Sequence, residues 1–312
     1  MGLREQLIGF IDRIQARGIR ASERANRNRP AVDAMLAWSL ARAEAAGTVH
    51  FPVQYLQFLR DCTEVTWATW TPIRDDAGPK DAASKRFAAL VDSLDDLPAV
   101  EFTSAERLAR TADRLRANVN PATGLREHGD RQRRFARSAS LGCKGRILYT
   151  TVKVMQSSRV IELGTYVGMS AMFLLEALET AGPDAHVTTV ELQEEFHSLA
   201  SALLAREFNG RVTCIKGSTD EVVPELSRTL RGVDLLFHDA RHSGEAYVRD
   251  FLAAEAAMAP GSVVLFDDIR WNNPRYTSVD PKCHEGWMEV TRHPRVRCAG
   301  EINGAIGALL LH

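Results

Sequence analysis

Val160–Ser170 (VIELGTYVGMS) is the stretch on which the reading of this chain turns. Val160-Ile161-Glu162-Leu163 is a short apolar strand that carries a carboxylate near its end. Gly164 and Gly168 bracket a tight turn, and Ser170 opens a helix. A residue without a Cβ lets the backbone come close to a ligand, and strand-to-helix turns at the carboxyl edge of an open α/β sheet are where ligands bind. The spacing is G-x-x-x-G and not the G-x-G-x-x-G of nicotinamide and flavin proteins, which disfavours pyrophosphate. One βα unit downstream the next strand-like run ends on Glu191. A carboxylate there can accept both hydroxyls of a ribose; the plainer reading is a polar strand end.

Working outward from this turn, short apolar runs alternate with helical stretches. Val160–Leu163 leads to Ser170–Thr180, Val187–Val190 to Glu194–Phe208, and Val212–Ile215 to Glu221–Leu230. Val233–Phe237, Ala246–Met258 and Val263–Phe266 continue the series. That alternation predicts a parallel sheet with crossover helices, and runs with little polar alternation suit strands covered on both faces. The end of the chain differs. Asn303-Gly304 separates Val296–Ile302 from Ala305–Leu311, a strong hairpin signal, so the expected fold is a mostly parallel, Rossmann-like α/β sheet with an antiparallel C-terminal hairpin.

Residues 1–130 read as a helical N-terminal region, from the helical spacing of Leu3, Leu7, Phe10, Ile11 and Ile14 and from the capping box Thr103/Glu106. Thr71–Ala83 (TPIRDDAGPKDAA) suits a loop, and Asn118–Arg137 a linker whose basic run, Arg131–Arg137, is read as a solvated face. The region is expected to act as a substrate lid or as a dimer interface, and residues 131–312 as the ligand-binding domain. Trp67 and Trp70 are expected to pack within the N-terminal region.

The 312 residues carry a formal charge of -1, which gives no general pull toward nucleic acid or an anionic membrane. No apolar run reaches the length of a membrane span, and the first residues lack a secretory signal's apolar block. The five cysteines are scattered and never spaced as a metal pair, as in a reduced, cytoplasmic protein.

Chemistry-bearing residues follow two of the strands. Val233–Phe237 leads into His238-Asp239-Ala240-Arg241-His242, and Val263–Phe266 into Asp267-Asp268. Asp239, Asp267 and Asp268 thus converge at the carboxyl ends of two strands. Neighbouring carboxylates repel one another, and such a cluster is usually balanced by a cation. Oxygen ligands suit a hard ion, Mg²⁺ first, with Mn²⁺ or Ca²⁺ as alternatives; the plainer reading has these residues capping helices. His238 is expected to be packed or to support a neighbour. Trp271 and Asn272, with Asn273, follow the aspartate pair and are candidate walls of an acceptor pocket, and Trp287 is expected to pack under the hairpin.

The segments IELGTYVGMSA, TTVEL and VTCIKGSTDEVVPEL resemble, in order and spacing, the cofactor-binding stretches of class I S-adenosylmethionine-dependent methyltransferases, and within them the catechol O-methyltransferase branch. Gly142-Cys143-Lys144-Gly145 resembles the branch's Lys-Gly element. The resemblance runs from about Ser140 to Val290 and weakly to His312, and leaves out the first 130 residues. It implies that Glu162, Gly164, Tyr166, Gly168 and Ser170 surround the methionine half of S-adenosylmethionine, with Asp239 alongside. It places Glu191 at the ribose and Ser218 and Thr219 beside adenine, with Asp220 near its amine; Ser218 and Thr219 also suit a helix N-cap. Asp239, Asp267 and Asp268 match the Mg²⁺ ligands of the metal-dependent members. Where catechol-type enzymes place a lysine, three residues after the first of those aspartates, this chain has His242, as the bacterial macrolide-sugar O-methyltransferases do. An imidazole suits a general base near neutral pH.

The implied activity is O-methylation of a small-molecule hydroxyl, a natural product in the first instance, with His242 and Asp239 as catalytic residues and a homo-oligomer, such as a dimer, as the working form. Two alternatives stand beside it. One is a metal-independent or N-methyltransferase on the same fold, separable by its metal dependence. The other is a non-catalytic S-adenosylmethionine-binding protein, which would bind the cofactor and turn over no acceptor.

Overall fold

A computed structural model of the protein describes residues 67–75, 81–98, 100, 144–166, 168–270 and 282–312. Its elements are β1 (Trp70–Asp75), α1 (Ala82–Ser93), α2 (Lys144–Met155), β2 (Arg159–Leu163), α3 (Met169–Leu178), β3 (His186–Glu191), α4 (Glu194–Glu207), β4 (Val212–Lys216), α5 (Thr219–Thr229), β5 (Val233–His238), α6 (Gly244–Ala254), β6 (Met258–Phe266), α7 (Cys283–Thr291), β7 (Val296–Ile302) and β8 (Ile306–Leu311). A short 3-10 turn, Leu94–Asp96, follows α1.

The strands form one sheet in the order β1-β7-β8-β6-β5-β2-β3-β4. β4, β3, β2, β5 and β6 run parallel, whereas β8 runs antiparallel to both β6 and β7. Chain order reverses beside β2: β2 pairs with β3 on one side and with β5 on the other. This is the switch point at which an open α/β sheet parts its crossover helices and leaves a crevice at its carboxyl edge.

The apolar strands are explained by burial on two faces. Side chains alternate across a sheet, and Val160, Leu235, Phe237, Val263, Leu265 and Leu310 share one core with Phe87 and Leu90 of α1, Ile147 and Leu148 of α2 and Phe173 of α3. Their neighbours Ile161, Leu163, Leu236, Val264, Phe266 and Leu311 share the other with Val223 of α5, Tyr247 and Phe251 of α6 and Trp287 of α7. An alternating polar residue in these strands would fall in one core or the other, so the pattern is nearly continuous.

The hairpin closes as the Asn-Gly pair predicts. Asn303 and Gly304 both have positive φ, 54° and 61°, and the Ala305 N–H donates to the Ile302 carbonyl at 3.1 Å, the form that matches the twist of paired strands. The helix expected over Ala246–Met258 ends at Ala254, and β6 starts at Met258.

The loop expected over Thr71–Ala83 is corrected, and the N-terminal region read as helices and loops contains a strand. Trp70–Asp75 is an edge strand antiparallel to β7, pairing Trp70 with Ile302 and Asp75 with Cys298. Pro72 gives the sequence its loop-like look. A proline is tolerated here because the strand is at the sheet's edge, and the register shifts between Pro72 and Arg74. The Arg74 guanidinium donates to the carbonyls of Thr291 and His293 at 3.0 and 3.1 Å. Trp70 sets its ring edge-on to Phe87, 5.9 Å between centroids, and Arg297 reaches Asp81 at the start of α1 at 2.6 Å. Residues 67–98 therefore build onto the same sheet as the C-terminal hairpin. The Thr103/Glu106 capping box, the linker over Asn118–Arg137 and the first helices lie outside the described residues.

Trp287 fills the space between α7 and the hairpin. It is fully buried, lies 5.8 Å from Phe266 between ring centroids, and faces Gly307 so closely that a Cβ there would come within 2.7 Å of the indole. Truncating a buried aromatic of this size removes its transfer energy and leaves a cavity. Trp287→Ala is expected to cost about 3–5 kcal/mol in denaturant unfolding, without loss of the sheet's circular dichroism signal in the fraction that folds.

Candidate active site

The turn after β2 is built by backbone bonds to β3. The N–H groups of Gly164 and Thr165 donate to the Val190 carbonyl at 2.9 and 3.1 Å, and Gly168 N–H donates to the Thr165 carbonyl at 2.8 Å. Gly164 has φ +95°, and a Cβ on it would lie 2.3 Å from the carbonyl oxygen of Asp239. Its missing side chain thus admits the neighbouring strand end, in addition to any ligand. The contact is sealed by the Asp239 N–H, which donates to the Leu163 carbonyl at 2.8 Å. Tyr166 has φ 50° and Gly168 φ 86° at the N-cap of α3.

Glu191 organises this turn. Its Oε2 accepts from the Tyr166 N–H and its Oε1 from the Gln193 N–H, each at 2.7 Å. Each carboxylate oxygen accepts more than one hydrogen bond, so capacity remains toward the crevice. Tyr166 packs edge-on against Phe196, 4.4 Å between centroids. Glu162 is wholly buried and accepts from the Thr189 hydroxyl at 2.5 Å, which lies 2.5 Å from the Thr165 hydroxyl. Burial pushes the Glu162 carboxyl up to about 7, against the hydrogen bonds of Ser170 and Thr189 and the charge of Lys144. Further along the edge Ser218 occupies the N-cap position of α5 without a side-chain capping bond, and the Thr219 hydroxyl accepts from Arg249 at 3.1 Å.

The structure brings Asp239, His242, Asp267 and Asp268 to the ends of β5 and β6. His242 Nε2 stands 3.7 Å from Asp239 Oδ1 and 3.7 Å from Asp268 Oδ2. Between the first two aspartates lies a group the motif reading assigned no role. Lys144 Nζ is 2.9 Å from Asp239 Oδ2 and 2.6 Å from Asp267 Oδ2. Lysine is almost never buried unless paired, and only 9% of this side chain is exposed. Burial alone would lower its pKa; the two aspartates overcome that and hold the ammonium well above its ordinary value. Asp267 stays below the usual carboxylate range because Lys144 outweighs its burial, while burial keeps Asp239 raised. Burial and the charge of Asp267 lift Asp268 to about 6. Burial lowers His242 to about 4, so its imidazole is neutral at neutral pH.

One face of α6 braces these turns. Tyr247 donates its hydroxyl to the Asp267 carbonyl at 2.6 Å. One turn later Asp250 accepts from His238 Nε2 at 3.0 Å and from Arg249 Nε at 2.8 Å. His238 is fully buried, edge-on to Tyr247 and stacked on Phe266, which places it as a packed support directly before Asp239. The i, i+3 spacing of Tyr247 and Asp250 was the signal available in the sequence. Trp271, Asn272 and Asn273 lie outside the described residues.

As a donor set, three carboxylates suit Mg²⁺. As placed, they do not form its cage. Lys144 takes one oxygen from each of two aspartates, and among the described residues no group of three or more His, Cys, Asp or Glu side chains is arranged to hold a metal.

A family model described as a methyltransferase domain matches residues 161–269, the span from the β2 turn to the aspartate pair. Catechol O-methyltransferase of Sus scrofa is 30% identical over 133 residues, which cover 40% of this chain and 68% of the pig protein. The chain belongs to the catechol O-methyltransferase family. The transmembrane O-methyltransferase homolog of Mus musculus is 32% identical over 147 residues, 45% of this chain and 55% of that protein, so the chain spans about half of this relative's length. A Bacillus cereus O-methyltransferase solved in complex with SAH shares 19% identity at a TM-score of 0.49, covering 68% of this chain and 93% of that one. As a member of this family the chain is an S-adenosylmethionine-dependent methyltransferase. Among its described residues no helix is long and apolar enough to cross a membrane.

In this methyltransferase the raised Glu162 carboxyl gives a signed pH effect. A folded pKa above the unfolded one contributes stability that is present below the unfolded value, 4.5, and is lost as pH rises through about 7. Glu162→Gln has no such loss. Without cofactor, the variant is expected to melt roughly 2–4 °C above the parent at pH 8 and within about 1 °C of it at pH 5, read by differential scanning calorimetry.

Proposed function

We propose that this methyltransferase transfers the methyl group of S-adenosylmethionine to a hydroxyl of a small molecule, with His242 as proton acceptor. The observation that carries the reading is the placement of a neutral imidazole, held 3.7 Å from two carboxylates, at the sheet edge that also carries the β2 turn and Glu191. Glu162, Gly164, Tyr166, Gly168 and Ser170 would receive the methionine half of the donor, with Asp239 alongside. Glu191 would take the ribose, and Ser218 and Thr219 the adenine side.

Chemically, the acceptor hydroxyl gives its proton to His242 as its oxygen attacks the methyl carbon. The new C–O bond forms as the C–S bond breaks, and the bonding pair of the latter stays on sulfur to give the neutral thioether. The proton then leaves from the imidazolium to water. Most of the acceleration comes from holding two bound reactants in line. The Mg²⁺-assisted form, expected from the three aspartates, is not carried into this sequence of steps, because Lys144 already grips two of them. A natural-product hydroxyl remains the acceptor class that the macrolide-sugar resemblance at His242 favours, and Trp271 and Asn272 its candidate walls.

Two measurements test the reading. In methyl-transfer assays over a panel of hydroxylated acceptors, His242→Gln is expected to lower kcat by roughly 10²–10⁴-fold while S-adenosylhomocysteine affinity stays within about threefold of the parent; normal turnover in this variant overturns the base assignment. Glu191→Ala is expected to weaken S-adenosylhomocysteine by about tenfold or more in titration calorimetry, since it loses a charge-assisted acceptor and the support of the Tyr166 turn.

A further inference from the structure

We propose that the Lys144 ammonium is a built-in counter-ion of the acidic edge and sets how tightly that edge can hold a divalent cation. The proposal deepens the reading of the same site, but it concerns cation binding and is tested without methyl transfer.

The geometry points to this role. Lys144 opens α2, and Arg146 anchors that helix by donating to the Leu97 carbonyl at 2.9 Å. The ammonium lies 5.9 Å from the centre of the Phe237 ring, on the strand that delivers Asp239. It takes Oδ2 from Asp239 and Oδ2 from Asp267. The two oxygens nearest His242 are not those Lys144 takes: Asp239 Oδ1, and Oδ2 of the third carboxylate, Asp268. Three carboxylates in a mostly buried pocket repel one another, and one ammonium offsets part of that repulsion. A divalent cation entering the edge would share ligand atoms with the ammonium, and the two positive groups would oppose each other where water screens them little. Taking the ammonium away leaves two close carboxylates that regain a partner either by sharing a proton or from an added cation, and near neutral pH the cation gains what the ammonium gave up. The lysine therefore lowers cation affinity and keeps Asp239 and Asp267 together when no metal is bound.

The test is Mn²⁺ titration of the full chain, followed by electron paramagnetic resonance and calorimetry, with S-adenosylhomocysteine binding measured on the same samples. Lys144→Met and Lys144→Gln are expected to bind Mn²⁺ roughly tenfold or more tightly than the parent, and Lys144→Met with Asp239→Asn to lose that gain. Should the single variants melt early, millimolar Mn²⁺ is expected to raise their melting temperature by more than it raises the parent's. Equal or weaker Mn²⁺ binding in the lysine variants, tight binding that survives Asp239→Asn, or early melting that Mn²⁺ does not rescue each overturns the proposal. Failure of the parent to bind S-adenosylhomocysteine would instead count against the donor site and leave the Mn²⁺ comparison standing.

Discussion

Parallel pairing in register is the constraint on which the site depends. β3, β2, β5 and β6 end side by side, and each end carries acid: Glu191, Glu162, Asp239 and the pair Asp267-Asp268. A fold that gathers five carboxylates along one edge has to offset their mutual repulsion. It does so with local donors for Glu191 and Glu162 and with a buried ammonium for Asp239 and Asp267. The Gly164–Asp239 contact belongs to the same constraint. β2 and β5 can close to hydrogen-bonding distance at their ends only because no side chain stands between Gly164 and the Asp239 carbonyl.

How much of this the sequence shows depends on the range of each interaction. Strands and helices from Val160 to Leu311 are legible because two-sided burial and helix caps write themselves locally, and Asn303-Gly304 carries the backbone requirement of the hairpin in its own residues. β1 is not legible. Pro72 and the surrounding charges look like a loop, and only the pairing with β7, more than two hundred residues away, makes Trp70–Asp75 a strand. The clustering of Asp239, His242, Asp267 and Asp268 follows from strand order and is legible in the same way. Lys144 is different. It stands 95 residues from Asp239 and 123 from Asp267, on a helix whose docking no local pattern predicts. Counting carboxylates without it made a bare metal cage the natural expectation.

The N-terminal additions and the C-terminal hairpin support one another. β8 lies between β6 and β7, and β1 then pairs with the outer side of β7. The Asn303 N–H donates to the Thr69 carbonyl at 2.8 Å, and the Thr69 N–H donates to the Asn303 side-chain oxygen at 2.8 Å. The hairpin turn is therefore held from outside the sheet. The Ile269 N–H in turn donates to the Ala305 carbonyl at 3.0 Å, one residue after Asp268, and Asp268 is itself held at positive φ. The conformation that aims Asp268 toward His242 is thus tied through Ala305 to the hairpin.

Burial shapes the chemistry of this edge in a consistent direction. It keeps His242 neutral, with its pKa near 4, and lifts Asp268 to about 6, a carboxyl that still carries its charge at neutral pH. In the proposed transfer a positive charge disappears from sulfur and appears on the imidazole. A base this weak in the resting state would be a poor acceptor if the surroundings stayed as they are. Two things change that balance along the reaction: the sulfonium charge disappears as the imidazolium forms between carboxylates already fixed 3.7 Å from Nε2, and the acceptor O–H becomes far more acidic as its oxygen gains the methyl group. Groups fixed in advance where charge will develop stabilise the transition state more than the ground state. The burial that weakens His242 as a free base therefore does not prevent transfer: the proton leaves an oxygen that the incoming methyl group has made a much stronger acid than the imidazolium.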